Sequence, residues 1–196
     1  MPEDTQLSDS DGVFLVKTAR MAVTEFLSNG KRMKLESERE KKFSFNAGVF
    51  VTLNNADGLR GCIGFPMPDK KLSHGIIDAA IAAATEDPRF SPVKINELND
   101  IVFEVTVLTP PVEITVTDPM EYLEKIKVGR DGLIIRNSFS SGLLLPQVPV
   151  EYGWNVEEFL QHTCEKAGLE KDTWKNEKVK IEKFEGIVYK EGTNGS

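Results

Sequence analysis

The residues Leu59-Arg60-Gly61-Cys62-Ile63-Gly64 place a thiol, a guanidinium and two glycines within six positions. That mixture suits chemistry better than packing. On an extended strand, side chains two residues apart share a face, so Arg60 and Cys62 are same-face neighbours while Leu59 and Ile63 point the other way. A cation beside a cysteine favours the thiolate, the form that acts as nucleophile or thiol ligand. Gly61 and Gly64 leave room for the close approach of a ligand or another backbone. A plainer reading stands beside this one. Free cysteines are usually small buried hydrophobes, Arg60 pairs with some carboxylate, and the glycines let the strand bend.

The elements that position this motif are legible around it. Phe43, Phe45, Ala47, Val49, Val51 and Leu53 alternate with more polar residues, a period of two that predicts a strand. Asn54, Asn55, Asp57 and Gly58 supply turn chemistry, so Leu59 to Gly64 form the second strand of a hairpin. Upstream, Leu15, Ala19, Ala22, Val23, Phe26 and Leu27 make the apolar stripe of a helix over 13–28, stopped by Asn29-Gly30. After Pro66 and Pro68 an alanine-rich helix runs from about Lys71 to Thr85, ending at the stiff loop Asp87-Pro88-Arg89-Phe90-Ser91-Pro92.

Strands are expected over 101–109 and 112–116. Asp118-Pro119 opens a short helix to about Lys127. Residues 132–136 and 142–146 form a second hairpin, Asn155 caps a helix that Gly168 ends, and the last strand spans 180–190. Short strands joined mainly by hairpins and mixed with helices predict an α+β fold with a mainly antiparallel sheet and flanking helices.

Composition narrows the function. The 196 residues, 40% hydrophobic, suffice for a sizeable core, with no apolar run long enough for a membrane helix. A net charge of −7 disfavours nucleic acid as a partner. Lys31, Arg32, Lys34, Arg39, Lys41 and Lys42 are interrupted by Glu36, Glu38 and Glu40, as in a solvated charged segment. The polar, acidic N-terminus lacks the pattern of a secretory signal, so a cytoplasmic protein is expected. Two cysteines and two histidines without ligand spacing predict no disulfide framework and no metal site. Glycine-rich dinucleotide and P-loop signatures are lacking, and the sequence leaves the cofactor unknown. Cys164, near Leu160 and Ala167, reads as core packing, and His162 as an ion-pair partner of Glu158 or Glu165.

Five stretches together resemble the AMMECR-domain family: the cysteine motif, Asp87-Pro88-Arg89-Phe90, Val128-Gly129-Arg130-Asp131-Gly132-Leu133, Gly142-Leu143-Leu144-Leu145-Pro146-Gln147 and Cys164-Glu165-Lys166-Ala167-Gly168-Leu169. The six-residue cysteine motif resembles the hallmark of that family, and the run ending in Leu-Pro-Gln resembles its archaeal and bacterial branch. The resemblance covers about Val13 to Tyr189. It implies a single domain over 13–190, with a larger lobe of about 13–110 plus 178–190, a smaller lobe of about 111–177, and the motif near a groove between them. Residues 1–12 and 191–196 are expected to be flexible. It further implies a pathway shared with Memo-type and radical-SAM proteins.

On this basis Cys62 and Arg60 are candidate catalytic residues, with His74 as base and Glu104 as orienting carboxylate. Arg89, Gly61, Gly64 and Glu151 are candidates for holding a small anionic substrate. Two classes of function stay open: an enzyme or enzyme component centred on Cys62, and a non-catalytic protein- or peptide-binding module in which Cys62 is inert.

Overall fold

In the computed structural model residues 7–175 and 179–192 are described. Residues 193–196 of the expected tail lie outside them. The chain forms two compact units, 1–108 with 187–196, and 109–186. Both are antiparallel sheet with helices, the predicted α+β class.

In the first unit α1 (Asp9–Asn29) opens earlier than the apolar stripe suggested, because Ser8, five residues before Val13, forms a reciprocal capping box with Asp11. Residues 9–12, expected to be a flexible lead, are therefore helical. Gly30, left-handed at φ 71°, ends α1 as its sequence position demands. A short α2 (Ser37–Lys42) buries none of its residues, in keeping with the solvated reading of that charged segment. The β1 strand (Val49–Asn55) turns through Asn55 and Gly58 into β2 (Gly58–Phe65), and β3 (Val102–Leu108) lies on the other side of β1. The α3 helix (Leu72–Thr85) and α1 cover one face, burying Leu15, Ala19, Val23, Ile76, Ile77 and Ala80 against Val49, Val51, Leu53, Phe103 and Val105. Each larger apolar side chain buried there contributes about 1.5–3 kcal/mol.

The alternation from Phe43 onward is only half a strand. Its hydrogen bonds go elsewhere: the carbonyls of Phe43 and Phe45 accept from the N–H groups of Ser73 and Leu72, and Ala47 N–H donates to Lys70. Phe43 is fully buried. This segment thus satisfies the orphan donors at the start of α3, which has no side-chain cap of its own.

In the second unit β4 (Val112–Glu113) is shorter than the expected strand. It pairs with β7 (Lys180–Lys190), which also pairs with β5 (Asp131–Arg136), itself next to β6 (Ser141–Leu144). A 3-10 turn, Pro119–Glu121, capped by Asp118, leads into α4 (Tyr122–Lys125). The α5 (Gln147–Tyr152) and α6 (Val156–Lys166) helices follow, α6 carrying the expected Asn155 cap. A Cβ on Gly142 would lie 2.3 Å from the Ala167 backbone, so the glycine lets β6 meet the end of α6. Gly168 at φ 73° closes α6, with Leu169 N–H donating to the Cys164 carbonyl. Phe159, Leu160, Cys164, Trp174, Leu133 and Ile135 form this unit's core.

The last residues of β7, 187–190, belong to the first unit. Glu191 is not loose: its carboxylate accepts from Arg20 and from Phe103 N–H, and its own N–H donates to the Phe103 carbonyl.

Candidate functional site

The cysteine motif occupies β2, the outer strand of the first unit's sheet, whose only strand neighbour among the described residues is β1. Gly61 faces the helices. A Cβ there would lie 2.2 Å from the Ala83 carbonyl oxygen, so only glycine lets the strand approach α3 so closely. At Gly64 a Cβ would lie 2.3 Å from the Phe50 ring and 2.5 Å from the Val49 carbonyl. Both glycines therefore serve packing.

On the opposite, half-buried face Cys62 stands in register with Thr52 of β1, which in turn faces Glu104 of β3. The Thr52 hydroxyl donates to Cys62 Sγ at 3.2 Å. Cys62 is half-buried, whereas Cys164 is fully buried and its thiol is pushed up to about 11 by burial. The row Cys62, Thr52, Glu104 is a consequence of strand register that the sequence reading did not assemble. Counting back from the Asn55 to Gly58 turn puts Gly61 opposite Thr52; a register shift between Leu53 and Asn54, which leaves Arg60 without a partner in β1, brings Cys62 there instead.

The exposed rim of β2 is covered by the Asp87 loop. Asp87 Oδ2 accepts from Cys62 N–H at 2.8 Å, and Arg89 Nη2 donates to the Cys62 carbonyl at 3.4 Å. Two side chains thereby satisfy the backbone groups that a further strand would otherwise engage. Asp87 also accepts from Arg89 Nε and Nη2 at 3.0 and 2.8 Å. Its side chain is only 2% exposed against 54% for Arg89. The Arg89 guanidinium, then the N–H groups of Cys62 and Arg89, hold the Asp87 carboxyl well below the usual range against the opposing effect of burial. Asp87, quoted within a motif but given no role from sequence, is thus the residue through which the loop grips the cysteine strand.

Arg60 has found its carboxylate. Its Nε and Nη2 donate to the two oxygens of Glu97 at 3.0 and 3.3 Å, and Nη1 donates to the Ser91 carbonyl at 2.9 Å. Glu97 also accepts from Lys94 N–H at 2.7 Å, within the 3-10 helix Ile95–Asp100. The Arg60 hydrogen bonds, followed by the Lys94 N–H, lower the Glu97 pKa. Arg60, Phe90, Ser91, Lys94, Asn96 and Glu97 line an open pocket of about 450 Å³.

Of the remaining candidates, His74 lies apart from this cluster within the first unit. His74 is in the first turn of α3 and its Nε2 meets Glu40 of α2 at 3.2 Å. Nine residues of helix separate it from Ala83, which faces Gly61, a rise of about 14 Å at 1.5 Å per residue. Glu151 belongs to α5 in the second unit and is exposed. His162, also in the second unit, pairs with Glu165 at 2.7 Å and stacks on Trp154 at 3.9 Å between centroids. Among the described residues no group of three or more His, Cys, Asp or Glu is arranged to hold a metal ion. No described helix is long and apolar enough to cross a membrane.

The motif of residues 128–133 proves structural. Gly129 turns at φ 84°, and the fully buried Asp131 carboxylate accepts from Lys127 N–H and Arg130 Nε. Burial opposes its charge, yet those donors keep its pKa lowered.

The same residues can be placed among known proteins. The family model AMMECR1 matches residues 16–189. Protein MJ0810 of Methanocaldococcus jannaschii is 52% identical over 187 residues, spanning 94% of this chain and 92% of that protein. Protein PYRAB00100 of Pyrococcus abyssi is 48% identical, spanning 95% and 93%. The crystal structure of protein PH0010 from Pyrococcus horikoshii, 49% identical, covers 95% of this chain and 94% of its own, with a TM-score of 0.78. With the match running through both units and the relatives aligned along nearly their whole length, this chain belongs to the AMMECR1 family.

Proposed function

We propose that the chain is an enzyme, or a component of one, whose reacting group is the Cys62 thiol and whose substrate is a small anion drawn to the adjoining Arg60 pocket. The observation that carries this reading is the placement of Cys62. Packing or hydrogen bonding accounts for Arg60, Gly61, Gly64, Asp87 and Arg89, whereas among the described residues the thiol meets only the Thr52 hydroxyl and remains half-buried on the face opposite Gly61. A buried structural cysteine looks like Cys164. Arg60 and Lys94 supply positive charge in the pocket lining, and Thr52 and Glu104 stand in line with the sulfur. Cytoplasmic location and action alongside Memo-type and radical-SAM proteins belong to the same proposal, on the family resemblance.

One observation favours a non-catalytic binding module instead: Arg60, Asp87 and Arg89 are all engaged in fixing the loop to β2. The rate of Cys62 alkylation by iodoacetamide across pH, read by mass spectrometry with Cys164 as internal control, separates the two. The enzyme reading expects Cys62 at neutral pH to label at least tenfold faster than Cys164 and faster than the thiol of a free-cysteine control. Labelling of Cys62 no faster than Cys164 would sink it.

A further inference from the structure

The pocket beside β2 carries enough chemistry to say which kind of anion it takes, if it is the substrate site of the proposed function. Arg60 brings five N–H donors, of which Nε and Nη2 each engage Glu97 through one hydrogen and Nη1 engages Ser91. Two donors are thus left over for a ligand. Lys94 is exposed, and among the described residues its ammonium makes no ion pair. Asn96 adds an amide, and the half-buried Phe90 adds a ring with the Arg89 guanidinium 5.5 Å from its centroid.

Charge then discriminates among anions. Arg60 and Lys94 share Glu97 as counter-charge, so the lining keeps one net positive charge, and the exposed Lys94 presents it to the open pocket. A phosphate dianion would bring two negative charges next to the Glu97 carboxylate with only that lysine to balance them. A carboxylate brings one, and its two oxygens can share the leftover guanidinium donors and the ammonium. The Phe90 ring offers a planar ligand an edge or a face. A volume of about 450 Å³ falls within the range of small-molecule sites. From these features we infer that the pocket binds a monocarboxylate attached to a flat apolar body, an aromatic carboxylic acid in the simplest case, with Lys94 as the residue that selects for it.

The test uses the full-length ¹⁵N-labelled protein titrated in separate samples with phenylacetate, inorganic phosphate and benzyl alcohol, followed by amide chemical shifts. Phenylacetate should give saturable shifts at Ser91, Asn96 and Glu97, while phosphate and benzyl alcohol at equal concentration should not. Lys94→Met, a change at an exposed position that leaves the fold intact, should weaken phenylacetate binding about tenfold. Tighter binding of phosphate, shifts that do not saturate, or an unchanged affinity in Lys94→Met would each overturn the assignment. Alkylation of Cys62 in the same samples keeps the two proposals apart. A reactive Cys62 without phenylacetate binding rejects the ligand but keeps the thiol; binding beside an inert Cys62 does the reverse.

Discussion

Asp87 offers the sharpest test of how the cysteine strand is held. Its side chain, 2% exposed, accepts from Cys62 N–H at 2.8 Å and from two nitrogens of the Arg89 guanidinium. In Asp87→Ala the Cys62 N–H loses its acceptor at a half-buried strand rim, a loss of about 1–3 kcal/mol. Arg89, 54% exposed, rehydrates when released, so the broken ion pair adds no more than about 1 kcal/mol. The expected destabilisation of the first unit is therefore about 1–4 kcal/mol. Asp87→Asn keeps an acceptor oxygen and should cost roughly half as much.

Because the chain has two compact units, a single unfolding midpoint would blur this effect. Hydrogen exchange read at the Cys62 amide localises it. A change of that size corresponds to a fall in protection of about 5- to 1,000-fold. The acid response has a definite sign. A carboxyl held below its unfolded value of about 3.9 stabilises the fold above that pH and loses the contribution as pH falls toward the depressed native value. Wild type should thus loosen at Cys62 below about pH 4, and Asp87→Ala should show a flatter response there. Cys62 protection within threefold of wild type in Asp87→Ala would refute the gripping role.

Other perturbations follow from the same geometry. Gly61→Ala sets a Cβ 2.2 Å from the Ala83 carbonyl oxygen and should destabilise the first unit by about 1–3 kcal/mol in urea unfolding. Cys62→Ser preserves a partner for the Thr52 hydroxyl and should change stability by less than about 1 kcal/mol while removing all iodoacetamide labelling at residue 62. Glu191→Ala strips Arg20 and Phe103 N–H of their acceptor and should cost about 1–3 kcal/mol, read as faster exchange at Phe103. The Cys164 thiol, raised to about 11, should resist alkylation until the pH passes about 10 or the second unit opens.

Periodicity and punctuation carried most of the fold. The α1 stripe with Gly30, the β1–β2 hairpin with its Asn55–Gly58 turn, the Asn155 cap and the β7 limits of 180–190 all follow from local rules that the folded chain obeys. Where local rules missed, a long-range partner decided. Phe43 to Ala47 alternates like a strand but spends its backbone groups on residues 70–73 before and at the start of α3, and Glu191 looks like a tail until Arg20, 171 positions away, takes its carboxylate. The site divides the same way. That Arg60 and Cys62 share a strand was readable; that Glu97 and Asp87 complete their surroundings depends on how the 86–100 segment returns to β2. His74 was attractive as a base only by its residue type, and α3 carries it to the far end from Gly61.

The motif's composition also acquires a physical division of labour. Gly61 and Gly64 exist for contact with α3 and β1, Arg60 for Glu97 and the Ser91 carbonyl, and the backbone of Cys62 for Asp87 and Arg89. Each of those demands would be met equally well by serine, alanine or valine at position 62, since the loop grips only the backbone there and the side chain meets Thr52 across the ladder. The bonds from Asp87 and Arg89 hold the backbone of position 62 against the loop whatever its side chain. Such pre-organisation is the condition under which one side chain can act repeatedly on one ligand geometry. The rigidity of Arg60 and Asp87, which as isolated contacts favour a purely structural motif, is therefore also what a thiol site on an outer strand requires.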